Sequence, residues 1–310
     1  MTNKSHNNQG LLSINKRSKN DLKHDSFVAV NNVNKTMHVL YYKDAVEFLK
    51  TLPDNSIQLI IIDPPYNINL EAWDTFPDYL EWAKQWIDHI YRILKENGNC
   101  VIFGGFQFQD LKHGDLLEIL HYTRHFTKLR LINLIIWHYK NGMSAQRFFA
   151  NRHEEAVWLS KTKNYYFDLD AVRIPYDDKS KAIALKDKRL KHESIEKGKN
   201  PTNVWEIGRL NGNSTERVGH STQKPAELIR RFVKALSYEG SLVLDFFAGS
   251  GTTGRVCIEE KRHSIMVDSE TSLKQFFQKH ISQINKNEIK PYEIFEDIDI
   301  TDFLCKIKNI

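Results

Sequence analysis

Short apolar runs, rich in β-branched residues, alternate along the chain with segments of helical periodicity. Seven runs predict buried strands, at 37–42, 57–62, 99–103, 131–137, 156–160, 241–246 and 264–267. Continuous apolar runs of this kind are typical of a mostly parallel sheet that is covered by helices on both faces. The pattern therefore predicts an α/β fold with a doubly wound, twisted sheet.

Two helices have the clearest apolar faces. The first is predicted to begin near Pro77 and to end at Gly98, with an inward face of Leu80, Ala83, Ile87, Ile90, Tyr91 and Leu94. The second follows Pro225, and its inward residues are Ile229, Phe232, Val233 and Leu236.

The stretch 161–218 breaks this rhythm with two prolines, an alternating charged run and a Gly/Asn-rich turn. We interpret it as a smaller lobe outside the sheet. It carries thirteen Lys and Arg against nine Asp and Glu, in a chain of net charge +5. Such segregated positive charge suits a nucleic-acid partner, although Lys-rich segments are more often solvated faces. The candidate DNA contacts are Lys186, Lys188, Arg189 and Lys191.

The cysteines and the apolar runs indicate the cellular compartment of the protein. Cys100, Cys257 and Cys305 lie far apart without C-x-x-C spacing, which argues against a disulfide framework or a structural zinc site and favours a reducing cytoplasm. No apolar run reaches the length needed to span a bilayer, so no membrane association is expected.

The first motif that carries chemistry is D-P-P-Y, Asp63 to Tyr66, directly after a predicted strand. Ligands of α/β sheets bind at such strand ends. The two prolines lack N–H groups, so the turn offers acceptors to a ligand that donates, such as an exocyclic amino group. Asp63 and the Pro64 carbonyl would each accept an N–H, and Tyr66 would stack on a flipped base. The catalytic candidates are Asp63, Pro64, Pro65 and Tyr66.

The second motif is the glycine-rich stretch 243–254, followed by a helix and by a strand that ends at Asp268. Gly249 and Gly251 would let a cofactor approach the backbone where the helix begins. The glycines also satisfy G-x-G-x-x-G, so a nicotinamide-dependent dehydrogenase is a rival. Asp245 would sit poorly beside a pyrophosphate but well beside a cationic amino acid, which counts against that rival.

These motifs resemble the D-P-P-Y and F-x-G-x-G motifs of the amino-methyltransferases of bacterial restriction-modification systems, and their order resembles the β group of that family. The resemblance covers roughly residues 37–278, including the segments N-R-H-E-E-A-V-W-L-S-K and H-S-T-Q-K-P. It implies a methyltransferase fold, S-adenosylmethionine as the cofactor and duplex DNA as the substrate. The aspartate in the first motif favours adenine N6, with cytosine N4 as the alternative.

The resemblance also assigns cofactor-binding roles. Asp44 would meet the cofactor adenine and Asp268 its ribose, although many relatives have G-x-E in place of the strand before Asp268. Thr222 and Lys224 would hold the cofactor carboxylate. The remaining cofactor-binding candidates are Asp63, Asp245, Phe246, Phe247, Ala248, Gly249, Ser250, Gly251 and Thr252.

The predicted organisation is a flexible basic tail (1–36), a catalytic half (37–160), a target-recognition region (161–218), a cofactor-binding half (219–280) and a C-terminal extension (281–310). His153, Glu154 and Glu155 could be imagined as metal ligands, but without a second ligand cluster they are better explained as the charged start of a strand; we expect no metal. A non-catalytic DNA-binding module, a partner restriction endonuclease and a homodimer are left open.

Overall fold

The computed structural model describes residues 33–68, 74–106, 116–142, 144–147, 149–285 and 287–308. Most of the predicted tail therefore lies outside the described residues. Strands and helices alternate along much of the chain. In chain order they are β1 (Thr36–Tyr42), α1 (Ala45–Thr51), β2 (Ile57–Ile62), α2 (Tyr79–Ile93), β3 (Leu94–Gly104), α3 (Leu116–Phe126), β4 (Arg130–His138), β5 (His153–Ser160), α4 (Asp178–Ala184), α5 (His192–Glu196), β6 (Val204–Glu206), α6 (Ala226–Leu236), β7 (Leu242–Asp245), α7 (Thr252–Glu259), β8 (His263–Asp268), α8 (Ser272–Gln283), β9 (Tyr292–Glu296) and α9 (Ile300–Lys308).

Within the described residues these strands form one sheet in the order β6-β4-β5-β3-β2-β7-β8-β1-β9. Strand β5 runs antiparallel to β3 and β4, and the other neighbouring strands pair in parallel. The predicted doubly wound, mostly parallel α/β fold is confirmed. All seven predicted strands are present. The predicted burial is wrong for β4, which lies beside the short edge strand β6 and in which only Ile135 and Trp137 are buried.

The sheet is covered on both faces. One core contains Ile60 and Ile62 of β2 and receives α1, α2 and Phe303 of α9. The opposite core contains Leu59 and Ile61 and receives α6 and α7, including the predicted inward face of α6. This alternation of side chains along β2 follows the two-residue period of a strand.

Helix α2 differs from its prediction at both ends. Asp78 is the N-cap, because its carboxylate accepts the N–H of Glu81 at 3.0 Å, so Pro77 lies before the helix. The helix ends at Ile93 rather than Gly98, because Leu94 is extended and pairs with Ile57 of β2. Leu94 is therefore buried in the sheet instead of on the helix face.

The stretch 161–218 is only in part a lobe outside the sheet. Strand β6 pairs with β4 at the edge of the sheet, and Trp205 packs against Phe232 of α6 with ring centroids 4.6 Å apart. The prediction that this stretch lies wholly outside the sheet was wrong, because a three-residue strand leaves no recognisable pattern. The C-terminal extension also belongs to the fold, since β9 pairs with β1 and Phe303 is buried.

Candidate active site

A cavity of about 1020 Å³ opens at the carboxyl ends of the strands. Strands β2 and β7 are neighbours, so the turn that follows Asp63 and the loop that follows Asp245 meet there. This volume is at the upper end for a small-molecule site. The predicted site residues that line the cavity are Asp44, Asp63, Pro64, Pro65, Tyr66, Thr222, Lys224, Asp245, Phe246, Phe247, Ala248, Gly249, Ser250, Thr252 and Asp268.

The carboxylate of Asp63 is held by two side chains. Its Oδ1 accepts the hydroxyl of Tyr66 at 2.7 Å, and its Oδ2 accepts the ammonium of Lys224 at 2.6 Å. The Nζ of Lys224 also lies 3.3 Å from the Tyr66 hydroxyl. Tyr66 therefore has a polar contact with the acid in addition to the flat ring that the sequence suggested.

Lys224 lies between two carboxylates. Its Nζ is 3.3 Å from Oε2 of Glu154, on β5, as well as 2.6 Å from Asp63. Burial alone would lower the pKa of Lys224, but the two neighbouring carboxylates outweigh burial and raise that pKa. For Tyr66, burial and then the charges of Asp63 and Glu154 raise the phenol pKa well above its ordinary value. Lys224 is thus charged and Tyr66 neutral at physiological pH.

The acid of the glycine-rich loop is buried at the end of β7. Asp245 accepts the hydroxyl of Thr253 at 2.6 Å and the N–H of Phe247 at 3.2 Å. Burial raises its pKa to about 7, although both hydrogen bonds oppose the shift. A cationic group beside it would favour the ionised form, which is the relation predicted with a ligand ammonium.

The two glycines of the loop do different things. Gly249 lines the cavity at φ +47°, and its N–H donates to Oδ2 of Asp268 at 2.7 Å. Gly251 does not line the cavity. It caps α7 at φ +78°, and a Cβ there would lie 3.1 Å from the ring of Phe277. The space around Gly251 is therefore taken by α8. A Cβ at Gly249 would lie 3.1 Å from the ring of His220, which also lines the cavity, so the approach of a cofactor to the backbone at either glycine stays a prediction.

The other predicted cofactor residues border the same cavity. Asp44 is the N-cap of α1 and accepts the N–H of Glu47 at 3.0 Å. Asp268 ends β8, next to β1, and its second oxygen accepts the N–H of Glu270 at 2.9 Å. With Asp245, these residues place three carboxylates along the cavity. The amino group, ribose hydroxyls and adenine amine of S-adenosylmethionine are all donors, so the residues present fit that cofactor.

Several cavity residues were missed by the sequence prediction. Glu154 contacts Lys224, Arg209 lies over the ring of Tyr139 with its Cζ 4.9 Å from the centroid, and Arg217 donates to the carbonyl of His220 at 3.0 Å. A signal existed for Glu154. Neighbouring residues of a strand point to opposite faces, so only one of Glu154 and Glu155 could face a site.

The predicted DNA contacts lie elsewhere. The four basic side chains between 186 and 191 are exposed in the connection between α4 and α5. Among them, Arg189 pairs with Asp187 at 2.7 Å. They do not line the cavity, and their contact with DNA stays a prediction. The residues are Lys186, Lys188, Arg189 and Lys191.

The comparisons with known proteins identify the family. The sequence pattern of the DNA methylase family, named for N6 and N4 methylation, matches residues 57–279. The chain is 34% identical over 235 residues to the type II methyltransferase M.HpaI of Haemophilus parainfluenzae, covering 74% of this chain and 69% of that protein. It is 32% identical over 242 residues to the DNA adenine methyltransferase YhdJ of Escherichia coli K12, covering 74% and 77%.

Solved structures share the fold. The PvuII DNA methyltransferase, which is cytosine-N4-specific, superposes with a TM-score of 0.62 at 20% identity, covering 89% of this chain and 95% of that one. Two other structures of this fold, at TM-scores of 0.56 and 0.54, are complexes with S-adenosylmethionine.

The sequence matches identify an amino-methyltransferase of the kind found in bacterial restriction-modification systems. The chain belongs to the DNA methylase family. The dehydrogenase alternative is thereby excluded. Among the described helices, none is long and apolar enough to cross a membrane.

Proposed function

We propose that this protein transfers a methyl group from S-adenosylmethionine to N6 of adenine at a specific site in duplex DNA. The observation that carries the proposal is the position of Asp63. Asp63 directly follows β2 and lines the cavity, beside the loop that follows β7. An acceptor next to a cofactor loop is what transfer to an amine needs.

S-adenosylmethionine, when bound, would supply an electrophilic methyl group; its carbon–sulfur bond would break as the carbon–nitrogen bond forms, it would leave as the neutral thioether, and the methylated nitrogen would lose one proton. The protein's own residues supply geometry and charge. An exocyclic amine is a poor nucleophile, because its lone pair is delocalised into the base. Asp63 and the Pro64 carbonyl accept its two N–H groups, so that the lone pair turns toward the methyl, and the negative charge of Asp63 stabilises the positive charge that grows on nitrogen. The ring of Tyr66 stacks on the flipped base.

Adenine is favoured over cytosine by two observations. The first motif begins with aspartate, and YhdJ, which matches this chain at 32% identity, is named an adenine methyltransferase. The cavity has room for both a cofactor and a base. We place the reaction in the bacterial cytoplasm, with sequence choice in the 161–218 region; a partner restriction endonuclease and a homodimer stay open.

The test is incubation of the purified protein with labelled S-adenosylmethionine and genomic DNA, followed by nucleoside analysis. We expect N6-methyladenine as the main product. Methylated cytosine alone would overturn the base assignment, and methylated RNA without methylated DNA would overturn the substrate. Binding of nucleic acid without methyl transfer would indicate a non-catalytic module.

A further inference from the structure

One buried lysine is shared by two carboxylates in the candidate active site. The side chain of Lys224 is 9% exposed, and its Nζ lies 2.6 Å from Asp63 and 3.3 Å from Glu154. Asp63 follows β2 and Glu154 lies on β5, so the cluster spans two strands that β3 separates in the sheet. Two strands thus hold the lysine from either side.

Both oxygens of Asp63 already accept hydrogen bonds, from Tyr66 and from Lys224. Each carboxylate oxygen can accept two hydrogen bonds, so a target amine would share an oxygen of Asp63 with one of these donors. If the partner is Lys224, its ammonium offsets the negative charge of Asp63 at a distance of 2.6 Å. Lys224 cannot simply leave, because an ammonium this buried becomes costly when it loses its counter-charge. Glu154 removes that difficulty, since it offers a second carboxylate within ion-pair distance.

The sum of charges in the cluster matters as well. Asp63, Lys224 and Glu154 together carry one negative charge, which favours the positive charge that develops on the attacking nitrogen. Without Glu154 the sum is zero. Glu154 therefore compensates for a lysine that would otherwise cancel the charge of Asp63.

We propose that Glu154 is a positioning residue for methyl transfer, which draws Lys224 away from Asp63 when the target amine binds, so that Asp63 accepts the amine with its negative charge intact. This inference rests on the proposed function. It predicts that removing Glu154 slows methyl transfer more when Lys224 is present than when Lys224 is absent.

The test compares Glu154→Gln, Lys224→Met and the double variant with wild type in single-turnover methyl transfer. Saturating labelled S-adenosylmethionine and amplified, methyl-free genomic DNA are used. We expect Glu154→Gln to slow transfer about tenfold or more, as loss of a supporting partner does. The double variant restores the charge sum, so it should be faster than Glu154→Gln alone. Glu239→Gln is the matched control, because Glu239 also pairs with a lysine, Lys261, at 3.1 Å but lies outside the cavity.

A wild-type rate in Glu154→Gln would overturn the inference, and so would a double variant no faster than Glu154→Gln, since a merely structural role gives additive losses. Binding of S-adenosylhomocysteine, measured by calorimetry, separates these rates from loss of the cofactor site. Wild type that transfers no methyl group at all contradicts the proposed function instead.

Unfolding midpoints of the ligand-free variants test, independently of catalysis, whether Lys224 pairs with both Asp63 and Glu154. Lys224→Met leaves two partly buried carboxylates without their cation, so we expect the double variant to melt above Lys224→Met. Additive losses of stability would show that Glu154 and Lys224 are not coupled, and would overturn the inference as well.

Discussion

The buried acid at the end of β7 predicts a pH-dependent affinity for the cofactor. Asp245 has a pKa of about 7, because burial penalises its charged form. A ligand ammonium needs the ionised carboxylate. With that pKa, about nine tenths of the sites are ionised at pH 8 and about one tenth at pH 6. Affinity should therefore fall about tenfold between these values, or about 1.4 kcal/mol.

Calorimetric titration of S-adenosylmethionine at pH 6, 7 and 8 measures this dependence. Asp245→Asn keeps the size of the side chain but cannot ionise, and it replaces one of the two acceptor oxygens with a donor amide group. We expect the variant to bind more weakly than wild type at both pH values, with a ratio of the two affinities that is about tenfold smaller at pH 6 than at pH 8. The amino group of the ligand itself titrates near pH 8, and the difference between variant and wild type cancels that contribution. At pH 6, wild type should also release a proton on binding, detectable as a buffer-dependent enthalpy.

A parallel pH dependence in wild type and Asp245→Asn would refute this reasoning, and so would an absence of proton release at pH 6. Either result would mean that the ligand ammonium is held elsewhere, or that the carboxylate is already ionised in the free protein.

The other substitutions separate catalysis, base capture, DNA contact and folding. Asp63→Ala should reduce turnover about a hundredfold to a thousandfold, while the fold survives because Lys224 keeps Glu154 as a partner; a wild-type rate would disprove the assignment. Tyr66→Phe should retain part of the activity and Tyr66→Ala should weaken base capture, read from the KM for DNA; equal losses would show that the hydroxyl matters as much as the ring. Gly251→Ala should lower the unfolding free energy by about 1–3 kcal/mol, because φ is +78° and Phe277 lies close, and a denaturant titration that shows no loss would contradict this. Neutralising three basic side chains should weaken DNA binding and reduce its dependence on salt concentration, while cofactor affinity stays near normal; the three are Lys186, Lys188 and Arg189. An unchanged salt dependence would place the DNA surface elsewhere.

Much of the fold follows from local pattern. Apolar runs such as Ile57–Ile62 predict central strands, because burial on both faces leaves a continuous apolar signature. The end of α2 could not be predicted in the same way. Leu94 suits a helix face and a strand equally, and its pairing with Ile57 decides between them. Strand β6 is too short to show any period.

The candidate site divides in the same manner. Asp63 and the loop after Asp245 stand out because each follows a strand, and the carboxyl ends of neighbouring strands meet. The pairing of Lys224 could not be seen, because it joins residues 161 positions apart in the chain. The contact of Gly251 with Phe277 could not be predicted either, because the motif points only to the cofactor and Phe277 belongs to a later helix. The role of Gly251 in cofactor binding stays a prediction.

The sheet order has a consequence for synthesis on the ribosome. Strands β1 and β2 are made early and in succession, yet β7 and β8 lie between them in the sheet. Both early strands therefore leave the exit tunnel long before these partners exist, with apolar residues such as Val39 and Ile60 still exposed. Pairings this distant in sequence form slowly, and unpaired strands of this kind attract other chains. The nascent protein is thus prone to aggregation until β7 and β8 have emerged, and their emergence sets the moment at which the sheet can close.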